Sequence, residues 1–123
     1  MPTEPEPLTL SQLVRRAVEI VDPDGADDAV TDLLRRMEDA DEPVPALVGD
    51  VEQRMAEETG VIDPEGDDPS LRMAGAVVVY LAHRRDEFDD DPLDILRLTA
   101  RAEFDDNPPA NVAQWLDEVG VEY

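Results

Sequence analysis

Apolar residues recur at three- and four-residue intervals through most of the chain, which is the spacing of one face of an α-helix. The pattern is clearest in the second segment, where Ala26, Ala29, Val30, Leu33 and Met37 share one face. No segment shows convincing strand alternation. The sequence therefore predicts an all-α fold, a compact bundle of about six helices, at residues 9–21, 25–38, 45–59, 69–85, 92–104 and 108–119.

Side chains that cap helices stand where several of these segments begin. Thr9 and Gln12 have the three-residue spacing of a capping box. Asp68, Asp91 and Asn107 each come directly before a proline, and a capping side chain followed by proline favours a helix start. These positions predict the first turns of the first, fourth, fifth and sixth helices.

The third segment is expected to end at Gly60, because glycine readily adopts the left-handed conformation that closes a helix. Val61, directly after it, can make the apolar contact that accompanies such an ending. A polar break over residues 39–43 separates this segment from the second.

The fourth segment is apolar on almost all sides from Met73 to Ala82. A helix that is apolar all round is buried, so we expect this segment to be the central helix. A buried strand over 76–81 is the alternative, because three consecutive valines occur there. The Asp68-Pro69 start and the terminal His83-Arg84-Arg85 favour the helix.

Two short echoes occur in the sequence. Asp22-Pro23-Asp24-Gly25 is matched by Asp63-Pro64-Glu65-Gly66, and both are turns that lead into a helix. The stretch 87–92 is matched by 103–108, each with a phenylalanine, a capping residue and a proline. Neither echo is long enough to indicate a repeat protein.

The composition excludes several classes of protein. The chain has no cysteine, so it has no disulfide and no thiolate chemistry. The longest apolar run is too short for a bilayer span, and the start of the chain lacks the basic and apolar regions of a secretory signal. We expect a cytoplasmic protein without membrane contact, with residues 1–7 as an acidic, proline-rich tail and 8–123 as one helical domain.

The net charge of −22 is the strongest compositional feature, and all ten basic residues are arginines. Such a charge destabilises the compact state at low ionic strength and repels nucleic acid phosphates. The balance resembles the composition of proteins from halophiles with a salt-rich cytoplasm. A high-GC genome is the competing source, because it also depletes lysine.

The acidic turns raise the question of a cation site. Four carboxylates cluster over 22–28 and four more over 63–68, but neither cluster has the ligand spacing of a calcium loop. Helix capping and solvated surface charge explain them better. No glycine-rich phosphate loop and no catalytic triad pattern is present, so we expect neither a cofactor nor a bound metal.

Four residues are the candidates for surface function: His83, Arg84, Arg85 and Trp115. The histidine and the two arginines also suit a helix C-terminus, where the dipole favours cations. The tryptophan is a core residue if its helix covers the central one, and part of a partner site otherwise. The doublets Arg15-Arg16 and Arg35-Arg36 could join Arg84-Arg85 in a basic patch, or could pair within the molecule.

The sequence predicts a non-enzymatic protein that acts through protein–protein association, either with an unknown partner or with itself as a homodimer. One alternative is an acidic mimic of DNA that inhibits a nucleic-acid-binding protein. Another is a nucleic-acid-associated regulator acting through the arginine doublets, although nucleic acid is an unfavourable partner for this charge.

Overall fold

A computed structural model describes residues 9–40, 50–105 and 107–121 of the chain. The prediction of an all-α fold of about six helices is confirmed. A short 3₁₀ turn at Arg85–Glu87 follows the fourth helix. In the described residues the helices are α1 Leu10–Val21, α2 Asp28–Met37, α3 Val51–Ile62, α4 Pro69–His83, α5 Pro92–Phe104 and α6 Ala110–Glu118.

The helix α4 lies at the centre and packs against α1, α2, α3, α5 and α6. It begins where the sequence indicates, because the Asp68 carboxylate accepts the Leu71 N–H at 3.1 Å and Pro69 fills the first turn. Residues 76–81 are helical, so the strand alternative is wrong. The buried residues of α4 are Leu71, Met73, Ala74, Gly75, Val77, Val78, Leu81 and Ala82.

The first helix begins with the capping box that the sequence predicts. The Thr9 N–H donates to Gln12 Oε1 at 2.8 Å, and the Gln12 N–H donates to Thr9 Oγ1 at 3.3 Å. Two otherwise unpaired backbone donors are satisfied in this way. The apolar face of α1 then packs on α2 and α4 and buries Leu10, Leu13, Val14, Ala17, Val18, Ile20 and Val21.

The turns between α1 and α2 and between α3 and α4 have the same construction. Asp22 and Asp63 close the preceding helices, each donating its N–H to the carbonyl four residues earlier at 2.8 Å. Gly25 and Gly66 follow with φ of +65° and +69°, a conformation that favours glycine. The echo in the sequence is therefore a repeated helix–turn–helix connection.

The aspartates of these turns then start the next helix. The Asp22 carboxylate accepts the Ala26 and Asp27 N–H groups at 3.0 Å, and the Asp63 carboxylate accepts the Asp68 N–H at 2.8 Å. Asp27 in turn caps α2 as Asp68 caps α4. The helix α2 begins at 28 and not at 25 because this capping arrangement occupies the intervening residues.

The predicted ending of α3 at Gly60 is wrong. Gly60 lies inside the helix without a left-handed φ, and α3 continues to Ile62. The Asp63-Pro64 turn, not the glycine, stops it. The predicted start of this helix at 45 lies outside the described residues.

Two further boundaries differ from the prediction. Asn107 does not cap α6, whose N-cap is Pro109 without a side-chain hydrogen bond. Because Pro109 disfavours a helical conformation at Pro108, the helix starts only after the second proline. At the other boundary, α4 ends at His83 and not at 85, since Arg84 leaves the helical conformation before the 3₁₀ turn.

Candidate functional site

One face of the central helix is not fully covered by its neighbours. The helices α3 and α5 flank α4, and between them Ala76, Val79 and Tyr80 of α4 are only half-buried. Elsewhere on this helix the apolar side chains are almost completely buried. A groove therefore runs along α4 with α3 as one wall and α5 as the other; we call it the α3–α5 groove.

The α3–α5 groove consists of two adjoining depressions of about 220 and 310 Å³. Both are lined by Ala76 and Val79 at the floor and by Glu52 and Glu103 on the walls. Arg72 lines one end and His83 the other. These two residues are eleven positions apart on α4, so at about 1.5 Å per residue the groove is about 17 Å long.

Gly75 sets the distance between the floor and the α3 wall. A Cβ atom at this position would lie 3.3 Å from Thr59 Cγ2 and 3.8 Å from Met55 Cβ. The missing side chain lets α3 pack closely on α4, which offsets the weak helix propensity of glycine. Together with Ala56 of α3 and Ala102 of α5, it gives the groove a lining of small residues.

The charges in the groove are arranged with carboxylates between cations. Glu52 of α3 and Glu103 of α5 face the groove from opposite walls, are exposed, and form no ion pair within the described part of the chain. Arg72, at one end, lies over the Phe104 ring at 5.1 Å from its centroid. His83 and Arg84 line the other end.

Thr99 of α5 lines the groove and is only 1% exposed. Its Oγ1 has no hydrogen-bond partner among the described residues. A buried hydroxyl without a partner costs about 1–3 kcal/mol. The groove wall therefore holds a polar atom whose hydrogen bond is not made within the described residues.

Tyr80 lies at the same end of the groove as His83. Its hydroxyl donates to Glu87 Oε2 at 2.9 Å and so ties α4 to the 3₁₀ turn. Burial, followed by the hydrogen bond to Glu87 and its charge, raises the pKa of Tyr80 to about 12. The phenol is neutral at physiological pH and acts as a hydrogen-bond donor.

The candidate residues from the sequence fall into different environments. His83 and Arg84 are exposed and line the groove. The side chain of Arg85 lies outside the described part of the structure. Trp115 is buried, with 8% of its surface exposed, because α6 covers α4 with this face. The surface candidate Trp115 is thus corrected to a core residue.

The first two arginine doublets each place one arginine in a contact within the molecule. Arg16 donates through Nε to the Phe88 carbonyl at 3.0 Å and through Nη2 to the Asp90 carbonyl at 3.1 Å. Arg36 pairs with Glu58 of α3 at 2.9 Å. Intramolecular pairing, one of the two expectations for the doublets, describes these two residues.

The acidic turns are built from helix caps. Carboxylates of Asp22, Asp27, Asp63 and Asp68 accept backbone N–H groups at the starts of α2 and α4. Within residues 9–40, 50–105 and 107–121, no three His, Asp or Glu side chains gather in a way that could hold a metal ion.

None of the described helices has the length and apolarity that crossing a bilayer requires. No protein-family model matches the chain, and no curated protein or solved structure shows significant similarity to it.

The sequence analysis singled out His83 and Arg84 but missed the groove that they line. Glu52, Glu103 and Thr99 looked like ordinary surface and core positions in a helical pattern. The small residues at 75 and 76 were the available signal, because two side chains of minimal size in the most apolar helix leave room for a close neighbour.

Proposed function

We propose that the protein is a protein-binding module whose α3–α5 groove takes a helical segment of a positively charged partner protein. The supporting observation is the half-buried face of α4 at Ala76, Val79 and Tyr80, in a helix that five others otherwise surround. An apolar helix stripe laid into such a groove is a common mode of peptide recognition.

The dimensions of the groove fit a short helix. A length of about 17 Å corresponds to about eleven residues, or three turns of a bound helix. The small side chains of Ala56, Ala76 and Ala102 allow the backbone of an incoming helix to approach closely. The apolar floor supplies the area that such an interaction buries.

The charge of the molecule selects the occupant. A net charge of −22 and the carboxylates of Glu52 and Glu103 attract a basic segment. A second copy of the chain brings the same negative charge to the groove. Self-association, the simplest form of interaction that the sequence suggests, is therefore the less favourable occupant.

A binding assay with fluorescently labelled, basic amphipathic peptides of about 18 residues tests this proposal. We expect saturable binding by the wild type and a loss of at least about tenfold in Ala76→Phe, because the larger side chain fills the floor of the groove. Ala113→Phe is the matched control, since Ala113 is exposed on α6 and lines neither depression.

Three results would contradict the proposal. The first is the absence of saturable binding to any basic peptide, and the second is equal binding by both phenylalanine variants. The third is a dimer in light scattering that Ala76→Phe converts to a monomer, because the groove then holds a second copy. The DNA mimic and the arginine-dependent regulator stay predictions of the sequence.

A further inference from the structure

We infer that the helix bound in the α3–α5 groove carries a lysine or arginine at the centre of its buried stripe, held between Glu52 and Glu103 and hydrogen-bonded to Thr99. This inference rests on the proposed function and names the chemistry that recognises the partner. It concerns one position of the bound helix, not the overall charge of the partner.

The two carboxylates mark the middle of the groove. Glu52 and Glu103 line both depressions, whereas Arg72 lines only the first and His83 and Arg84 only the second. A cation midway along the groove therefore meets negative charge from both walls, and a cation at either end meets positive charge. This arrangement specifies a position for a basic residue and also repels one that is shifted toward the ends.

The hydroxyl of Thr99 is a second, independent feature. Thr99 lines the depression that also contains Glu52 and Glu103, is 1% exposed, and its Oγ1 makes no hydrogen bond within the described residues. An ammonium or guanidinium group offers only donors. A cation in the centre of the groove would provide the donor that this buried oxygen lacks.

The three glutamates of α3, Glu52, Glu57 and Glu58, differ in their contacts. Glu58, on the same helix, is already paired with Arg36 of α2 at 2.9 Å. Glu52 has no such partner in the described part of the molecule. Glu57 accepts a hydrogen bond from Gln53 Nε2 at 3.2 Å and lines neither depression, so Glu52 is the glutamate of α3 that faces the groove without an ion pair among the described residues.

The test uses two synthetic helical peptides of about 18 residues with equal net charge. One has its lysine at the centre of an Ala/Leu stripe, and the other has the same lysine on the opposite, solvent-facing side. Anisotropy is measured in 1 M KCl, where the Debye length of about 3 Å suppresses attraction to distant carboxylates. An ion pair that the bound helix buries in the groove is screened much less.

We expect the centre-lysine peptide to bind about two- to tenfold more tightly than its isomer. Glu52→Gln and Glu103→Gln should each weaken the centre-lysine peptide about two- to fivefold and leave the isomer unchanged. Glu57→Gln is the matched control, because it removes the same charge from an exposed position of α3 that lines neither depression of the groove. It should not change either affinity.

Thr99→Val separates a binding role of the hydroxyl from a structural one. Removal of an unpartnered buried oxygen should raise the melting temperature of the free protein. The same change should weaken binding of the centre-lysine peptide and leave the isomer unaffected.

The outcomes distinguish the inference from the proposed function. If both peptides bind equally, and Glu52→Gln and Glu103→Gln leave the affinities unchanged, the groove binds helices and the inference is wrong. If neither peptide binds, the proposed function fails together with the inference. If only Thr99→Val leaves the affinity unchanged, the hydrogen bond to Thr99 is overturned.

Discussion

The α1–α2 and α3–α4 hairpins share one turn but place their second helices in different environments. Both turns use an aspartate to end a helix, a left-handed glycine, and a second aspartate to cap the next helix. The helix α2 buries a single stripe of Val30, Leu33 and Met37, whereas α4 is buried on most of its circumference.

This difference shows that the turn and the position of the helix after it have separate causes. The turn is determined locally, by hydrogen-bonding side chains and a positive φ at glycine. The position is determined by how much of the circumference is apolar, since each apolar side needs a neighbour to cover it. Four predictions test this separation, starting with the largest expected effect.

Removal of salt should affect the second hairpin first. The first hairpin carries four arginines among its acids, whereas the second carries only Arg54 and Arg72. Unscreened repulsion at a net charge of −22 destabilises the compact state. We expect circular dichroism at 222 nm to fall between molar and millimolar KCl, with amide protection lost in α3–α4 at higher salt than in α1–α2.

A helical signal that is constant over this range would contradict the prediction. It would also show that the carboxylates are not an adaptation to salt. Titration with sodium chloride in parallel controls for a specific effect of potassium.

Truncation of a leucine should cost more on the buried side of α4 than beside the buried stripe of α2. Leu81 of α4 is completely buried, so Leu81→Ala is expected to lower the free energy of unfolding by about 2–5 kcal/mol. Leu34 of α2 is only half-buried, and Leu34→Ala should cost about 1 kcal/mol. Urea unfolding measures both values, and equal losses would contradict the difference in burial between Leu81 and Leu34.

The turn glycines should respond alike in the two hairpins. Gly25→Ala and Gly66→Ala force alanine into a positive φ, and no heavy atom lies within 4 Å of the added Cβ in either case. Each should therefore lose about 1 kcal/mol from backbone strain alone. A difference much larger than the error would show that the two turns are not equivalent.

Gly60→Ala is the control for this pair. Gly60 is helical and a Cβ atom there also meets open space. Because alanine is the better helix former, this variant should gain up to about 1 kcal/mol. A loss of stability would mean that α3 ends before Gly60 in solution.

The smallest effect is expected at the caps, where the two hairpins meet. Burial raises the pKa of Asp68 above its ordinary value of 3.8, and the nearby carboxyl of Asp27 raises it further, against the lowering by the Leu71 N–H. A pKa that is higher in the folded than in the unfolded state means that the folded protein is more stable with this carboxyl protonated than with it charged. Its stabilising contribution is present below pH 3.8 and is lost as the pH rises through the folded-state pKa.

Asp68→Asn should therefore raise the melting temperature at pH 7. The gain in the free energy of unfolding should be less than about 1 kcal/mol, because the carboxyls of Asp68 and Asp27 are both partly exposed. Asparagine retains the capping oxygen. The gain should shrink as the pH falls through the folded-state pKa of Asp68 and should be absent below pH 3.8. The double variant with Asp27→Asn should gain less than the sum of the single changes, and full additivity would exclude a Asp27–Asp68 interaction.

The sequence analysis predicted the fold class and the start of α4 because both depend on local chemistry. The Asp68-Pro69 signal and the apolar run that follows it act within a few residues. The predicted end of α3 was wrong for a related reason. Glycine at position 60 is compatible with both a helix and a helix end, and the Asp63-Pro64 turn is the stronger stop signal.

The groove was not predictable because it depends on how α3 and α5 sit around α4. Helical periodicity gives the face of each helix that is apolar but not the neighbour that covers it. Thr99 follows the apolar pattern of α5, and its missing hydrogen bond becomes visible only in three dimensions. The burial of Trp115 likewise depends on α6 reaching α4.

The two hydrogen bonds from Arg16 have a mechanical consequence for the groove. They connect α1 to the carbonyls of Phe88 and Asp90, which lie in the connection that leads into α5. Through this connection the α5 wall of the groove is attached to α1. The position of this wall therefore depends in part on two hydrogen bonds from a residue that does not line the groove.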